Sequence, residues 1–292
     1  MRWCQDNGLL KSKGQLLCPK PTPYGICNKA LTMVKYAHNK CGYRWICARH
    51  KNYTRTVRSD SFFENGHLTL RQYLWMIYYW CTDTNLLNAM YMAGISGKET
   101  GVDLYKQMRD LIKEYFLDYP AVLGGPGHVV MCDESIFSRR KYNRGRVPRD
   151  YWVFGMYDVN QHIGWVEPVP NRSAEALMPL IQAHVAPGSN IWTDAWRAYR
   201  RISQLDVTPP YTHEVVVHET NFVDPNTGVH TQAVEAYWGR LKKRLKRKNV
   251  VGNKDLLIEH LREEMWRERF GDSDYDRIWD SFLVLIRLRH PM

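Results

Sequence analysis

Between residues 128 and 250 the apolar residues change period in a set order, and that order restricts the fold more than any other feature of the chain. "HVVMCD", "YWVFGMYDV" and "HIGWVEPVP" read as three consecutive strands. "SAEALMPLIQAHV" then reads as a helix, with Ser173 as its N-cap signal and Glu175 in its first turn. "NIWTDAW" and "HEVVVH" are two more strands. "TQAVEAYWGRLKKRLKR" opens a long helix whose Val234, Trp238, Leu241 and Leu245 fall on one stripe. Hairpin strands followed by strand–helix–strand organisation predict a mixed sheet with helices packed on its faces. The "GGPG" at 124–127 marks the start of this region.

Two of these strands run into an acid: Asp133 follows "VVMC" and Asp194 follows "NIWT". A third acid, Glu235, lies in the first turn of the striped helix. If the two strands are neighbours their tips converge, and a helix packed on the sheet brings Glu235 close. Crowded carboxylates repel one another and are stable as anions only with cations among them. Hard divalent ions take oxygen ligands and keep water and substrate phosphates as co-ligands. Two such ions about 4 Å apart clamp the attacking and leaving oxygens of an in-line phosphoryl displacement. Glu134, Asp158 and Asp224 are rivals for any one of the three roles. An acid after a strand or in a first helical turn is also an ordinary turn or dipole-complementing residue.

The formal net charge of +11 and a pI near 9.3 favour a polyanionic partner, nucleic acid before anionic membrane. The longest strongly apolar stretch, Tyr73–Cys81, falls well short of the roughly 20 residues a membrane span needs. The opening "MRWCQDNGLLKSKG" has no apolar core of signal-peptide length. The expectation is an intracellular protein without a membrane partner.

"MCDESIFSRRKYNRGR", "DYWVFGMYDV", "PVPNRSAEALMPLIQAHVAPGSNIWTDAWRAY" and "NFVDPNTGVHTQAVEAYWGRLKKRLK" together resemble the DDE transposases of the Merlin superfamily and their bacterial insertion-sequence relatives. The resemblance covers about 128–250 and extends more weakly upstream. It implies an α/β fold with a ribonuclease H-like catalytic core, with which the strand order is compatible. It implies a DDE triad of Asp133, Asp194 and Glu235 holding two Mg²⁺ or Mn²⁺ ions, with Asn221 and His230 near the site. The implied activity is cut-and-paste transposition: water cleaves transposon ends, and the freed 3′-OH is joined to target DNA. Because two ends must be held together, a homodimer or larger assembly is implied. A domesticated derivative that binds DNA without cutting, and a host nuclease of the same fold, are the alternatives.

Two basic runs adjoin the proposed ligands. "SRRKYNRGRVPR" carries Arg139, Arg140, Lys141, Arg144, Arg146 and Arg149 after Asp133. "RLKKRLKRK" carries Lys242, Lys243, Arg244, Lys246, Arg247 and Lys248 after Glu235. A basic run is often only a solvated face; beside metal ligands it also reads as a phosphate track. The second run doubles as a nuclear-localisation pattern. The expected location is therefore the nucleus if the host is eukaryotic, and otherwise the bacterial cytoplasm.

Of seven cysteines, Cys18, Cys27, Cys41 and Cys47 are clustered, which inside a cell suggests metal rather than disulfides. Related transposases carry a zinc-ribbon-like module with "YRWxC" in its second half, and "YRWIC" matches it. Cys47 and His50 form a tight pair, and Cys18 is the natural partner from the first half. The usual C-x2-C is missing there, which leaves the fourth ligand between Cys27 and Cys41, with Cys27 preferred. Cys4, Cys81 and Cys132 read as packing residues. Residues 68–118 read as three short helices with a turn at "GISGKE", a helix-turn-helix arrangement whose last helix, 100–117, would enter the major groove. The expected organisation is a zinc-ribbon-like module over 1–66, a helix-turn-helix domain over 67–123, the catalytic core over 124–252 and a helical extension over 253–292.

Overall fold

The computed structural model describes residues 1–137, 151–216, 228–248, 250, 253–271 and 274–292. They form two compact units, Met1–Leu111 with Asp274–Met292, and Ile112–Ser273.

The first unit starts with α1 (Arg2–Asp6) and the two-residue strands β1 (Pro21–Thr22) and β2 (Gly25–Ile26). An antiparallel sheet of β3 (Thr32–Lys35), β4 (Tyr43–Ile46) and β5 (Thr54–Thr56) follows. Its core is small: Leu16, Cys18, Leu31, Trp45, Cys47 and Val57. Three helices come next, α2 (Leu70–Cys81), α3 (Leu86–Ala93) and α4 (Lys98–Asp118). Thr69 and Gln72 start α2 with a reciprocal capping box. Gly94 ends α3 in the left-handed conformation, within the turn expected from the sequence.

The second unit contains β6 (Leu123–Gly124), β7 (Val129–Phe137), β8 (Tyr151–Asp158), β9 (Ile163–Val169), α5 (Ala174–His184), β10 (Val185–Ala186) and β11 (Asn190–Asp194). A 3-10 helix (Arg197–Gln204), β12 (Thr212–Val216), α6 (Gln232–Lys248) and α7 (Lys254–Phe270) complete it. The main sheet has the order β12-β11-β7-β8-β9. β7, β8 and β9 form an antiparallel meander, and β11 and β12 run parallel to β7. Three antiparallel strands followed by two parallel ones, with the first strand central, is the ribonuclease H-like arrangement. The segment 253–292 divides between the units: α7 packs on β9, whereas α8 (Tyr275–Arg289) packs on α2, with Phe282 on Trp80.

Two glycines let α6 lie close on the sheet. A Cβ at Gly155 of β8 would stand 2.4 Å from the Trp238 ring, and one at Gly164 of β9 would stand 2.2 Å from the Tyr237 ring. Both rings are buried and stack on each other.

Opposite charges join α6 to α7. Arg240 meets Glu268 at 3.0 Å, Arg244 meets Glu264 at 2.9 Å, and Lys248 meets Glu263 and Glu264 at 2.8 and 2.7 Å. Arg267 and His260 also face Glu263, each at 3.0 Å. Burial alone would push the Glu263 carboxyl up; Lys248, Arg267 and His260 outweigh it and hold the group well below the usual carboxylate range. A depressed carboxylate contributes stability above its unfolded pKa and loses it as pH falls through the folded value. Glu263→Gln is therefore expected to destabilise the second unit at neutral pH by about 3–5 kcal/mol, the cost of breaking a buried pair. It should also flatten the acid limb of the stability profile below about pH 4.5. Hydrogen exchange of α7 amides at neutral and acid pH checks this; equal pH dependence in parent and variant would refute it.

Candidate active site and metal centre

β7 and β11 pair only as far as Met131 and Trp192. Beyond that point they part, while β7 stays paired to β8 through Phe137 and β11 to β12 through Asp194. Asp133 lies two residues past Met131, and Asp194 two past Trp192. Side chains alternate with period two, so the acids stand at matched positions on one face, on either side of the opening. Such openings at the carboxyl ends of parallel strands are where α/β sheets place ligands. The expectation that the strand ends at Asp133 is corrected: β8 supplies partners on one side of β7 after β11 has left the other.

α6 crosses this face. Thr231 Oγ1 donates to Glu235 Oε1 at 3.0 Å, which anchors the acid at the start of the helix. One turn on, Trp238 Nε1 donates to Asp133 Oδ2 at 2.9 Å. Asp194 Oδ1 accepts the backbone N–H of Trp196 at 2.9 Å. Burial pushes the Asp133 carboxyl above its ordinary value; the Trp238 and Glu134 N–H groups oppose this, and the charges of Asp194 and Glu235 add to it. The charges of Asp194 and Glu235 thus both reach Asp133 through space. The all-oxygen donor set fits a hard divalent cation such as Mg²⁺ in kind. Each carboxylate is held by a donor of the chain rather than gathered into one ligand cluster.

Lys242, one turn beyond Trp238, donates to Ser135 Oγ at 2.6 Å and lies over the Phe137 ring. Glu235, Trp238 and Lys242 therefore line α6 opposite Asp133, Ser135 and Phe137 of β7. Lys243, Lys246 and Arg247 are exposed. Arg244 and Lys248 are engaged by Glu264 and Glu263, so their charge is directed into the fold rather than toward a phosphate track. His230 packs edge-on against Trp192, two residues before Asp194, and adjoins Thr231. Arg139, Arg140, Lys141, Arg144, Arg146, Arg149, Asn221 and the rival Asp224 lie outside the described residues.

Asp158, another rival, is a turn anchor. Its buried carboxylate accepts the backbone N–H groups of Gly124, Asn160 and Gln161 and pairs with His128. Glu134 points to the opposite face from Asp133. Tyr199 donates to its Oε1 at 2.5 Å, and Arg172 stands 4.0 Å from its Oε2. Burial raises its carboxyl to about 7, against the pull of the Tyr199 hydroxyl. The Arg172 guanidinium contacts both the Trp152 and Trp196 rings, 4.3 Å from each centroid. Arg172 belongs to neither basic run, and Trp238 reads in sequence only as a core-stripe residue. Their roles arise from tertiary placement, for which the linear pattern holds no signal.

The packing under Trp238 yields a test. Gly155→Ala inserts a methyl into the space of the ring that holds Asp133. Overpacking of this kind costs typically about 1–3 kcal/mol. The expected result is a lowered thermal midpoint together with faster exchange of the Trp238 indole N–H. Parent-like values of both would show that the ring is not held where described.

In the first unit, Cys18, Cys27, Cys47 and His50 each offer one ligand atom, all within 4.8 Å of one another. Cys18 Sγ lies 3.3 Å from His50 Nδ1, and Cys27 Sγ lies 4.0 Å from Cys47 Sγ. A zinc tetrahedron with Zn–S bonds near 2.3 Å has edges of roughly 3.8 Å, so the donor set fits zinc in kind and in size. The His50 N–H, 3.3 Å from the sulfur, leads in holding the Cys47 thiol down to about 6, with burial opposing. Of the two candidates for the fourth ligand, Cys27 is in the cluster. Cys41 instead accepts a hydrogen bond from Arg58 Nε at 3.1 Å. None of the seven cysteines is in a disulfide, and Cys4, Cys81 and Cys132 are buried.

Residues 126–268 match the family model of the ISXO2-like transposase domain. A Haemophilus influenzae protein described as an uncharacterized transposase-like protein is 28% identical over 106 residues, covering 36% of this chain and 79% of its own length. Among solved structures, the HTLV-2 integrase catalytic core domain in complex with magnesium is similar at 17% identity. It covers 50% of this chain and 86% of that one, with a TM-score of 0.33. The BIV integrase catalytic core domain is similar at 17% identity, covering 46% and 80%, with a TM-score of 0.32. The fold assignment rests on the strand order of the sheet and not on these likenesses.

Proposed function

We propose that this chain, whose residues 126–268 form a transposase domain of the DDE family, is an active cut-and-paste transposase. It would bind transposon ends, cleave them with water and join the freed 3′-OH to target DNA. The observation that carries the reading is the matched placement of Asp133 and Asp194 across the parted strands, faced by the helix of Glu235. Asp133, Asp194 and Glu235 would hold divalent magnesium or manganese, two ions per site, and such ions stabilise the charge on the attacking and leaving oxygens of a phosphoryl transfer. Trp238 keeps Asp133 aimed into the opening and shields one oxygen from solvent. Thr231 fixes the rotamer of Glu235 from the turn before it. Lys242 sets a positive charge beside the path of the strand, and Lys243, Lys246 and Arg247 extend it along the exposed face of α6. Phosphate contacts of this type position DNA without reading its sequence.

Two transposon ends must be held together for joining, so the working form would be a dimer or larger assembly. Sequence reading would fall to the first unit, with the last helix of its helix-turn-helix arrangement in the major groove. The test is strand cleavage of DNA carrying the element's own ends, with added Mg²⁺ or Mn²⁺. Metal-dependent nicks at the ends, followed by strand joining, are the expected result. Binding without any cleavage would favour the domesticated DNA-binding protein instead.

A further inference from the structure

We infer that Arg172 is a DNA-phosphate contact at the margin of the sheet opening, on the face of Glu134, held there by Trp152 and Trp196. The inference rests on the reading of the chain as a DNA-processing enzyme. The Arg172 guanidinium carbon stands over the Trp152 and Trp196 rings, 4.3 Å from each centroid. Two cation–π contacts restrain the group while its N–H donors remain available to bind. Trp196 gives its backbone N–H to Asp194 Oδ1 at 2.9 Å, and its indole N–H to the Arg172 carbonyl at 2.9 Å. One residue therefore sets both the acid and the arginine.

Glu134 does not account for this arginine. Its carboxylate stands 4.0 Å away, well beyond the 2.7–2.9 Å of a charge-assisted hydrogen bond, and Tyr199 already donates to it. Among the described residues, no oxygen accepts a hydrogen bond from the Arg172 guanidinium, and its side chain keeps 34% of its exposure. The group is thus immobilised, charged and open along its donor edge. A planar fork of donors matches phosphate oxygens two at a time. A nucleobase is the poorer occupant, because two indoles already engage the guanidinium. The local charge points the same way: Arg244 and Lys248 are neutralised by α7, so fewer cations face the substrate than the sequence implies.

The test is the salt dependence of binding to a fluorescent random-sequence DNA duplex, without added magnesium, for the parent, Arg172→Gln and Arg172→Lys. Each lost phosphate contact lowers the slope of log K against log salt by about 0.9. Arg172→Gln should lose that amount, and Arg172→Lys, which keeps the charge, should keep the parent slope. Matching circular dichroism and thermal midpoints establish that the variants are folded. A parent slope in Arg172→Gln overturns the assignment, and so does an equal loss in both variants, since charge is then not the cause. If the parent binds no DNA, the DNA-processing reading fails and this assignment with it. A failure confined to the Arg172 variants leaves that reading standing.

Discussion

Asp194→Asn is expected to abolish strand cleavage while leaving DNA binding and folding in place. The amide keeps the size and shape of the side chain, and its carbonyl oxygen can still accept the Trp196 N–H. What it loses is the negative charge facing Asp133 across the parted strands. Divalent-metal stabilisation of a phosphoryl transition state is worth several kcal/mol. At 1.36 kcal/mol per factor of ten, that is a rate loss on the order of a thousandfold or more. Cleavage and binding measured side by side on DNA carrying the transposon end decide the matter. Equal cutting by parent and variant would place the chemistry elsewhere in the chain. One further consequence separates this variant from a folding defect. Removing the Asp194 charge relieves a repulsion on Asp133, so the Asp133 carboxyl should titrate lower than in the parent.

Removal of zinc should be as severe for the first unit. The core beneath β3, β4 and β5 rests on a few side chains, and two of them, Cys18 and Cys47, are themselves proposed ligands. A module of that size lacks enough buried apolar surface to fold alone. Structural zinc supplies about 10–16 kcal/mol to comparable small modules at neutral pH. Chelation, or Cys18→Ser, is therefore expected to unfold the region around β3–β5. The measurements are native mass spectrometry for one zinc per chain, and hydrogen exchange of the β4 amides before and after chelation. Unchanged protection in β4 after complete metal removal would end the structural-zinc reading. Cys41→Ser serves as the control: it removes the Arg58 contact but no ligand, and zinc content should stay at the parent level.

The order of strands and helices over 128–250 was legible because each element carries its own period, and the matched positions of Asp133 and Asp194 were legible because each follows an apolar strand pattern. The extent of β7 was not, since whether a strand continues past an acid depends on which neighbour still pairs with it. The choice between Cys27 and Cys41 needed the backbone to bring one thiol to His50 and the other to Arg58. The basic run on α6 misled in part for a related reason. Charge in a sequence has no direction, and only the helix phase shows that Arg244 and Lys248 turn toward α7 while Lys242 turns toward Ser135. Trp238 read only as a core-stripe residue and Arg172 drew no reading, because such residues are common and their partners, Asp133 for the one and Trp152 for the other, are distant in the chain.

The two glycine positions under α6 bear on how such a site can drift over time. Gly155 and Gly164 act as keyways, the Tyr237 and Trp238 rings as keys, and together they allow the helix one rotation and one height on the sheet. Glu235 rides on that helix, so its aim is written into strands β8 and β9, which carry no triad residue. Substitutions on the outer face of α6 leave the lock untouched, whereas a single methyl at either keyway would clash with a ring of the helix and force one or the other to shift. The tolerance of this site to change is therefore set from beneath, by the absence of two side chains.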